Sequence, residues 1–214
     1  MRFHAAKLTI GLVLSSGIVL SACGTNPDSS GPTTVRLLTH DSFVVSQALI
    51  DQFKQDTGIS IEVTTGGDAG SMVAGAVLAS GSPSADVMFG VDNTLLSRAV
   101  DAEVFSSYTA SDAGSLVPSL REDTAGGVVT PIDYGDVCIN IDDAWFADHE
   151  VAKPTSIDQL TDPKYKDLLV VQDPASSSPG LAFLLATIAK YGDGWTKYWE
   201  GLNANGVKVS GSWT

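Results

Sequence analysis

VRLLTHDSFVVSQALIDQFKQDTGISIEVT, residues 35–64, is the stretch on which the fold reading turns. Val35 to Thr39 is a short apolar run suited to a strand, ending at the polar triplet His40-Asp41-Ser42, which suits a loop and a helix N-cap. Val45, Leu49 and Phe53 recur every four residues, so a helix is predicted from about Phe43 to Thr57, with Gly58 as its stop. Ile59 to Thr64 then alternates as a second strand. Strand, helix, strand at this spacing predicts parallel strands covered by helices, an α/β class.

The pattern continues downstream. Gly66 to Ser71 opens a predicted helix over Met72–Ser80, and Gly81 to Ser84 is a turn. Ala85 to Gly90 reads as a third, buried strand, and Asp92-Asn93 precedes a helix near Thr94–Ala99. Residues 101–127 are irregular and polar. Val128 to Ile141 reads as extended and starts a second unit. There a short helix is expected at Ser156–Leu160, capped by Thr155 or Ser156, and a strand at Leu168–Gln172. A loop at Asp173–Gly180, helices at Leu181–Tyr191 and Trp195–Leu202, and a strand at Val207–Val209 complete it. The chain shows no internal repeat.

Ahead of all this lies a different kind of segment. Arg2, His4 and Lys7 precede the apolar run Leu8–Leu20, and small residues lead to Cys23. A positive start, a short apolar middle and a small-residue cut site describe an export signal over residues 1–22. The run is shorter than the ~20 residues a membrane-spanning helix needs. The Leu20-Ser21-Ala22-Cys23 string resembles the lipobox of bacterial lipoproteins, which implies cleavage before Cys23, lipidation of its thiol and attachment to a membrane. Residues 23–34, rich in Gly, Pro, Ser and Thr, read as a flexible tether. The expected organisation is therefore leader 1–22, tether 23–34, a first lobe 35–128 and a second unit 129–214.

Charge bounds the partners. The 214 residues hold 12 Lys and Arg against 25 Asp and Glu, a formal net charge of −13. Losing Arg2 and Lys7 with the leader takes it to about −15. Such a surface repels nucleic acid and anionic lipid and weakly attracts cations. With Cys23 lipidated, Cys138 is alone, and its setting in Val137-Cys138-Ile139 predicts a buried inert thiol. The three His and two Cys have no metal-ligand spacing, so no metal site is expected.

Three loops leave the carboxyl ends of the first predicted strands: His40-Asp41-Ser42, Gly66–Ser71 and Asp92-Asn93. Parallel sheets bind ligands at that edge. Each loop alone reads equally as a turn or a cap; three together predict a cleft. Asp41, Asp92 and Asp133 at strand ends could balance a positive ligand or cap local backbone. The loop Ser176-Ser177-Ser178-Pro179-Gly180 offers hydroxyls and amide N–H groups at a helix start, which suit a phosphate or carboxylate, or merely cap the helix. Gly66–Ser71 has neither the glycine spacing nor the Lys-Ser/Thr pair of a Walker loop. Trp213 could stack on a flat or cationic ligand or fill a core. No G-x-S-x-G elbow is present and no nucleophile is marked, so an enzyme is not expected.

These strings also stand in a recognisable order. Leu38-Thr39-His40-Asp41-Ser42-Phe43, Ala85-Asp86-Val87, Gly90-Val91-Asp92-Asn93-Thr94-Leu95-Leu96, Pro131-Ile132-Asp133-Tyr134-Gly135, Gln172-Asp173-Pro174 with Ser177-Ser178-Pro179-Gly180-Leu181, and Tyr191-Gly192-Asp193 resemble thiamine-binding proteins of ABC importers from Val35 to Thr214. The resemblance implies a type II periplasmic-binding fold: two α/β lobes closing on thiamine or its phosphate esters, with a crossing near Val129–Tyr134. It implies ligand contacts from Asp68 and Ala69, where relatives carry Asp-Gly, from Ser177 and Ser178, and from Trp213. His40, Asp41 and Asp92 join the candidate ligand-binding set, His40 standing where some relatives have Tyr. It further implies delivery to a membrane permease, no cofactor, and a chain lacking the C-terminal part of the family, so that the isolated chain is expected to bind thiamine poorly. Iron, polyamine or an oxyanion on the same fold is the alternative; a secreted hydrolase or adhesin is a more distant one. Iron-binding relatives offer an adjacent tyrosine pair, absent among Tyr108, Tyr134, Tyr165, Tyr191 and Tyr198.

Overall fold

The computed structural model describes residues 33–121 and 124–212. The leader, Cys23, most of the tether and Trp213 lie outside them.

Strand β1 (Thr34–Thr39) sits at the centre of a three-stranded parallel sheet, between β2 (Ser60–Thr65) and β3 (Val87–Phe89). Leu37 is the register anchor, opposite Val63 on one side and Val87 on the other. Between β1 and β2 runs helix α1 (Gln47–Thr57). It starts later than the predicted Phe43, because Ser46 is the residue whose hydroxyl caps it, accepting from the Leu49 N–H at 3.3 Å. The His40–Phe43 stretch instead folds as a turn, with the Phe43 N–H on the His40 carbonyl at 3.2 Å. Gly58 ends α1 in the left-handed region at φ 73°, as its position suggests.

Helix α2 (Ala69–Leu78) begins three residues earlier than expected. Asp68 is its cap, the carboxylate taking the Ala69 N–H. Only three residues of the 85–90 run pair as β3, and Val87 is 50% exposed rather than buried. What holds β3 in place is a fork: Arg36 Nη2 meets Asp86 Oδ1 at 2.8 Å and Arg36 Nε meets Oδ2 at 3.1 Å. The Arg36 backbone N–H also donates to Asp86 Oδ2 at 2.9 Å, and the Asp86 N–H donates to the Arg36 carbonyl at 2.9 Å. Helix α3 (Leu96–Asp101) follows. The core here is Ala69, Val73, Leu95 and Ala99, with Met88, Phe105 and Leu181 packed against it.

Residues 128–141 form no strand. No described strand partners this stretch, and Ile132, Val137 and Ile139 are exposed. Cys138 is exposed too, and not the buried thiol its apolar neighbours suggest. Helix α4 (Asp143–Asp148), capped by Asp142, has no counterpart in the sequence reading. The expected helix at 156–160 is a 3-10 turn over Ile157–Thr161, preceded by Ser156 without a side-chain cap.

A second, two-stranded parallel sheet pairs β4 (Val170–Gln172) with β5 (Lys208–Ser210). Helices α5 (Ser178–Tyr191) and α6 (Trp195–Ala204) lie between them in sequence. Pro179 and Gly180, expected in a loop, belong to the first turn of α5, where proline's fixed φ costs nothing. Gly180 lies under the Gln172 carbonyl, where a Cβ would collide. Leu160, Tyr198 and Leu202 form this core, with Phe183, Tyr191 and Trp199 around it. Tyr191 donates to Asp158 Oδ1 at 2.7 Å and Tyr198 to the Ile157 carbonyl at 2.7 Å, pinning the 3-10 turn to both helices. Among the described residues no helix is long and apolar enough to cross a membrane.

Candidate functional site

The carboxyl ends of the first sheet and the start of α5 meet at one small hollow. Its volume is about 210 Å³. His40 and Ser42 after β1 form one wall, with Asp68 and Ala69 at the head of α2 beside them. Phe89 to Asp92 after β3, Asp133 on the crossing segment and Ser178 of α5 close the rest.

Each of these side chains is placed by local chemistry. The His40 ring stacks on Phe89, centroids 6.0 Å apart at 30°, and meets Phe43 edge-on at 6.5 Å. Its Nδ1 is 3.1 Å from the Ser42 hydroxyl. Gly90 makes the stack possible: at φ 107° it lies directly under the imidazole, where a Cβ would overlap the ring. Asp92 uses Oδ1 twice, accepting from the Thr94 N–H at 3.0 Å and the Thr94 hydroxyl at 2.7 Å, so it shapes the turn into α3 while facing the hollow.

Asp68 is the unusual residue. It is 5% exposed. Its Oδ1 takes the Ala69 N–H at 2.6 Å, and its Oδ2 is buried with no partner. A buried carboxylate oxygen without a donor is costly unless a cation or donor meets it. Asp41 stands in the same condition next door. Its N–H bonds the Gly67 carbonyl at 3.0 Å and its Oδ2 accepts from Ser212 at 3.1 Å, while Oδ1 is buried and unpartnered. Asp41 lies behind the hollow and does not line it.

The serine loop divides its labour. Ser177 is fully buried, its hydroxyl donating to Gln172 Oε1 at 2.6 Å, and it stays out of the hollow. Ser178 reaches the hollow. The Ser176 carbonyl takes the Gly70 and Ser71 N–H groups of α2 at 2.9 and 3.3 Å, and its hydroxyl donates to the Gly211 carbonyl at 2.8 Å. Gly70 is therefore a point of close approach between the two helix starts: a Cβ there would sit 2.7 Å from the Ser176 oxygen.

Of the residues nominated from sequence, His40, Asp68, Ala69, Asp92 and Ser178 share this hollow; Asp41 and Ser177 support it from behind; Trp213 lies outside the described residues. Phe89 and Asp133 join them. Asp133 was legible as a strand-end carboxylate; Phe89, at the end of an apolar strand, reads as core. A much wider groove of about 2280 Å³ runs from α2, β3 and α3 to residues 128–137; Asp92 and Asp133 line it as well, while His40, Asp68, Ala69 and Ser178 do not. Among the described residues, no cluster of three His, Cys, Asp or Glu could hold a metal ion.

Two parallel sheets with covering helices, their loops meeting at one hollow, give the chain in part the fold of the two-lobed periplasmic binding proteins. The family described as "Bacterial extracellular solute-binding protein" matches residues 82–212, more than half of the chain, and the chain belongs to that family. Among curated relatives, the thiamine-binding periplasmic protein of Salmonella typhimurium is 28% identical over 181 residues, covering 82% of this chain and 53% of its own length. That of Brucella suis is 22% identical over 200 residues, covering 92% and 58%. Among solved structures, the periplasmic binding protein P5PA superposes with a TM-score of 0.66 at 16% identity, over 84% of this chain and 58% of its own. A periplasmic thiamin binding protein gives 0.61 at 21%, over 84% and 56%. Iron-bound HitA from Pseudomonas aeruginosa gives 0.60 at 21%, over 84% and 56%. The chain thus spans little more than half the length of the relatives it matches.

Proposed function

We propose that this protein is the extracytoplasmic receptor of an ABC importer, that it captures thiamine or its phosphate esters between its lobes, and that it hands the ligand to a membrane permease. It is tethered to the membrane through lipid on Cys23. The protein performs no chemistry on its ligand; contact with both lobes favours the closed state.

One observation carries the reading: Asp68, buried with an unpartnered oxygen, stands in a hollow with Asp92 and Asp133, and among the described residues no Lys or Arg lines it. Such a site favours a small cation, and thiazolium is one. The stacked His40 and Phe89 add a flat wall against which an aromatic cation packs. The thiamine-binding relatives from two organisms support the same ligand. Iron has less support, since the described residues offer no ligand cluster for it. A polyamine fits the charge but has no use for the aromatic wall.

The test is calorimetric titration of the purified protein with thiamine, spermidine and ferric citrate. Thiamine is expected to give the strongest binding of the three, weak in the isolated chain as the resemblance implies, and weaker again by about tenfold in Asp68→Ala. Saturation by either of the other ligands, with none by thiamine, would overturn the assignment. Labelling of Cys23 by a fatty-acid probe in cells, lost in Cys23→Ala, checks the anchor.

A further inference from the structure

We infer that Asn205 is a self-modification site that the fold holds shut: its side-chain amide is lost to its own backbone when the end of α6 opens, and the product does not fit the place it left.

The sequence supplies the chemistry. Of the five asparagines, Asn205 alone precedes a glycine. Glycine has no Cβ to shield its nitrogen and a backbone that turns freely, so in an open chain the Gly206 nitrogen reaches the Asn205 side chain. Once that nitrogen gives up its proton to water, it attacks Cγ. The new N–C bond closes a five-membered succinimide, the Cγ–Nδ2 bond breaks, and ammonia leaves. Water then opens the ring at either carbonyl, giving aspartate or isoaspartate. Water is the only co-reactant.

The structure blocks that step at every point. Asn205 ends α6 at ψ 6°, which eclipses the Gly206 nitrogen with the Asn205 nitrogen and turns it away from the side chain. The Gly206 N–H is committed to the Asn203 carbonyl at 3.0 Å. Asn205 is 9% exposed, and its Nδ2 donates to the Leu160 carbonyl at 2.9 Å and to the Asp162 carbonyl at 3.0 Å. From the other side the Asp167 N–H holds the Asn205 carbonyl at 2.9 Å. Turning the bond between Asn205 and Gly206 therefore breaks several hydrogen bonds together, and ring closure waits for local opening of this corner.

The same bonds make the change one-way. The amide serves two carbonyls because its nitrogen carries two donors; a carboxylate carries none. Aspartate at this position leaves the Leu160 and Asp162 carbonyls without their partner and facing a negative charge. Isoaspartate also lengthens the backbone just ahead of β5. Leu160 belongs to the second core, so the damage reaches the packing of α6.

The experiment incubates the purified full chain in mild alkali, with and without concentrated urea, and weighs the tryptic peptide Tyr198–Lys208 by fragment mass spectrometry. Exchange of the amide for a carboxyl adds about 1 Da. Asn203, exposed and followed by alanine, lies in the same peptide and is the slow control. In urea, Asn205 is expected to gain the mass well before Asn203. In buffer its conversion is expected to be at least about tenfold slower than in urea, and Leu202→Ala, which loosens α6 from its core, to recover part of that rate. Chain converted in urea and returned to buffer is expected to melt at a lower temperature than unconverted chain taken through the same steps. Equal rates in buffer and urea, Asn205 no faster than Asn203 in urea, no gain in Leu202→Ala, or a converted chain as stable as its control would each overturn the inference.

Discussion

At the scale of single residues, what matters is how little room the hollow leaves for change. Gly90 has its backbone at φ 107° and its missing side chain filled by the His40 ring. Alanine there meets both a disfavoured backbone and a steric overlap. Gly90→Ala is expected to cost about 1–3 kcal/mol of stability and to dislodge His40 from Phe89. Thermal unfolding reads the first, and loss of thiamine affinity reads the second. Gly90 was visible in the sequence as the end of a strand, but its partner was not. Nothing in the spacing of His40 and Gly90, fifty residues apart, announces that one covers the other. The same holds for Asp68: its place before a helix was legible, while the orphaned Oδ2 is a property of packing alone. Asp86 offers a further check. Its bond to the Arg36 guanidinium, with the Arg36 N–H behind it, holds its carboxyl down to about 2. A lowered folded pKa means the fork stabilises the fold above the ordinary carboxylate range and is lost as pH falls toward 2. Asp86→Asn should therefore lower Tm by about 1–3 °C at neutral pH, and by progressively less as pH falls from about 4 through 2.

At the scale of elements, the strands were the readable part. Period-two alternation over Ile59–Thr64 and the apolar run at Val35–Thr39 place β2 and β1 within a residue of their bounds. Helix starts were less readable, because several polar residues in a row compete for one cap. His40, Asp41, Ser42 and Ser46 all could have begun α1; only Ser46 has its hydroxyl over the Leu49 amide. The 128–141 stretch shows the opposite failure. Its composition is that of a strand, yet strands exist by pairing, and no described strand pairs with it. Cys138 is exposed for that reason. In the second sheet unit, α6 is held by Leu202, which is 1% exposed and central to its core. Leu202→Ala is expected to cost about 2–5 kcal/mol, measured by denaturant unfolding. The aromatic network beside it resists alkali: burial, then the Asp158 charge, pushes the Tyr198 hydroxyl up to about 12.

At the scale of the whole molecule, the hydrogen bonds that join the two sheet units among the described residues sit around the hollow. The Gly70 and Ser71 amides meet the Ser176 carbonyl, and the Ser212 hydroxyl meets Asp41 Oδ2 at 3.1 Å. Neither Gly70 nor Ser212 lines the hollow, so neither touches a ligand held there. If ligand binding requires the units to be together, these contacts set the fraction of molecules competent to bind, and the apparent Kd rises in inverse proportion to that fraction. Ser212→Ala removes one such contact, at the net strength of a single hydrogen bond of about 1 kcal/mol. It is expected to weaken thiamine by about two- to tenfold. In the parent protein, thiamine should slow hydrogen exchange at the Gly70 and Ser71 amides, because their bonds to Ser176 break when the units part. Affinity unaltered in Ser212→Ala, together with exchange at Gly70 indifferent to thiamine, would mean that the units are already locked and that the ligand enters a preformed hollow.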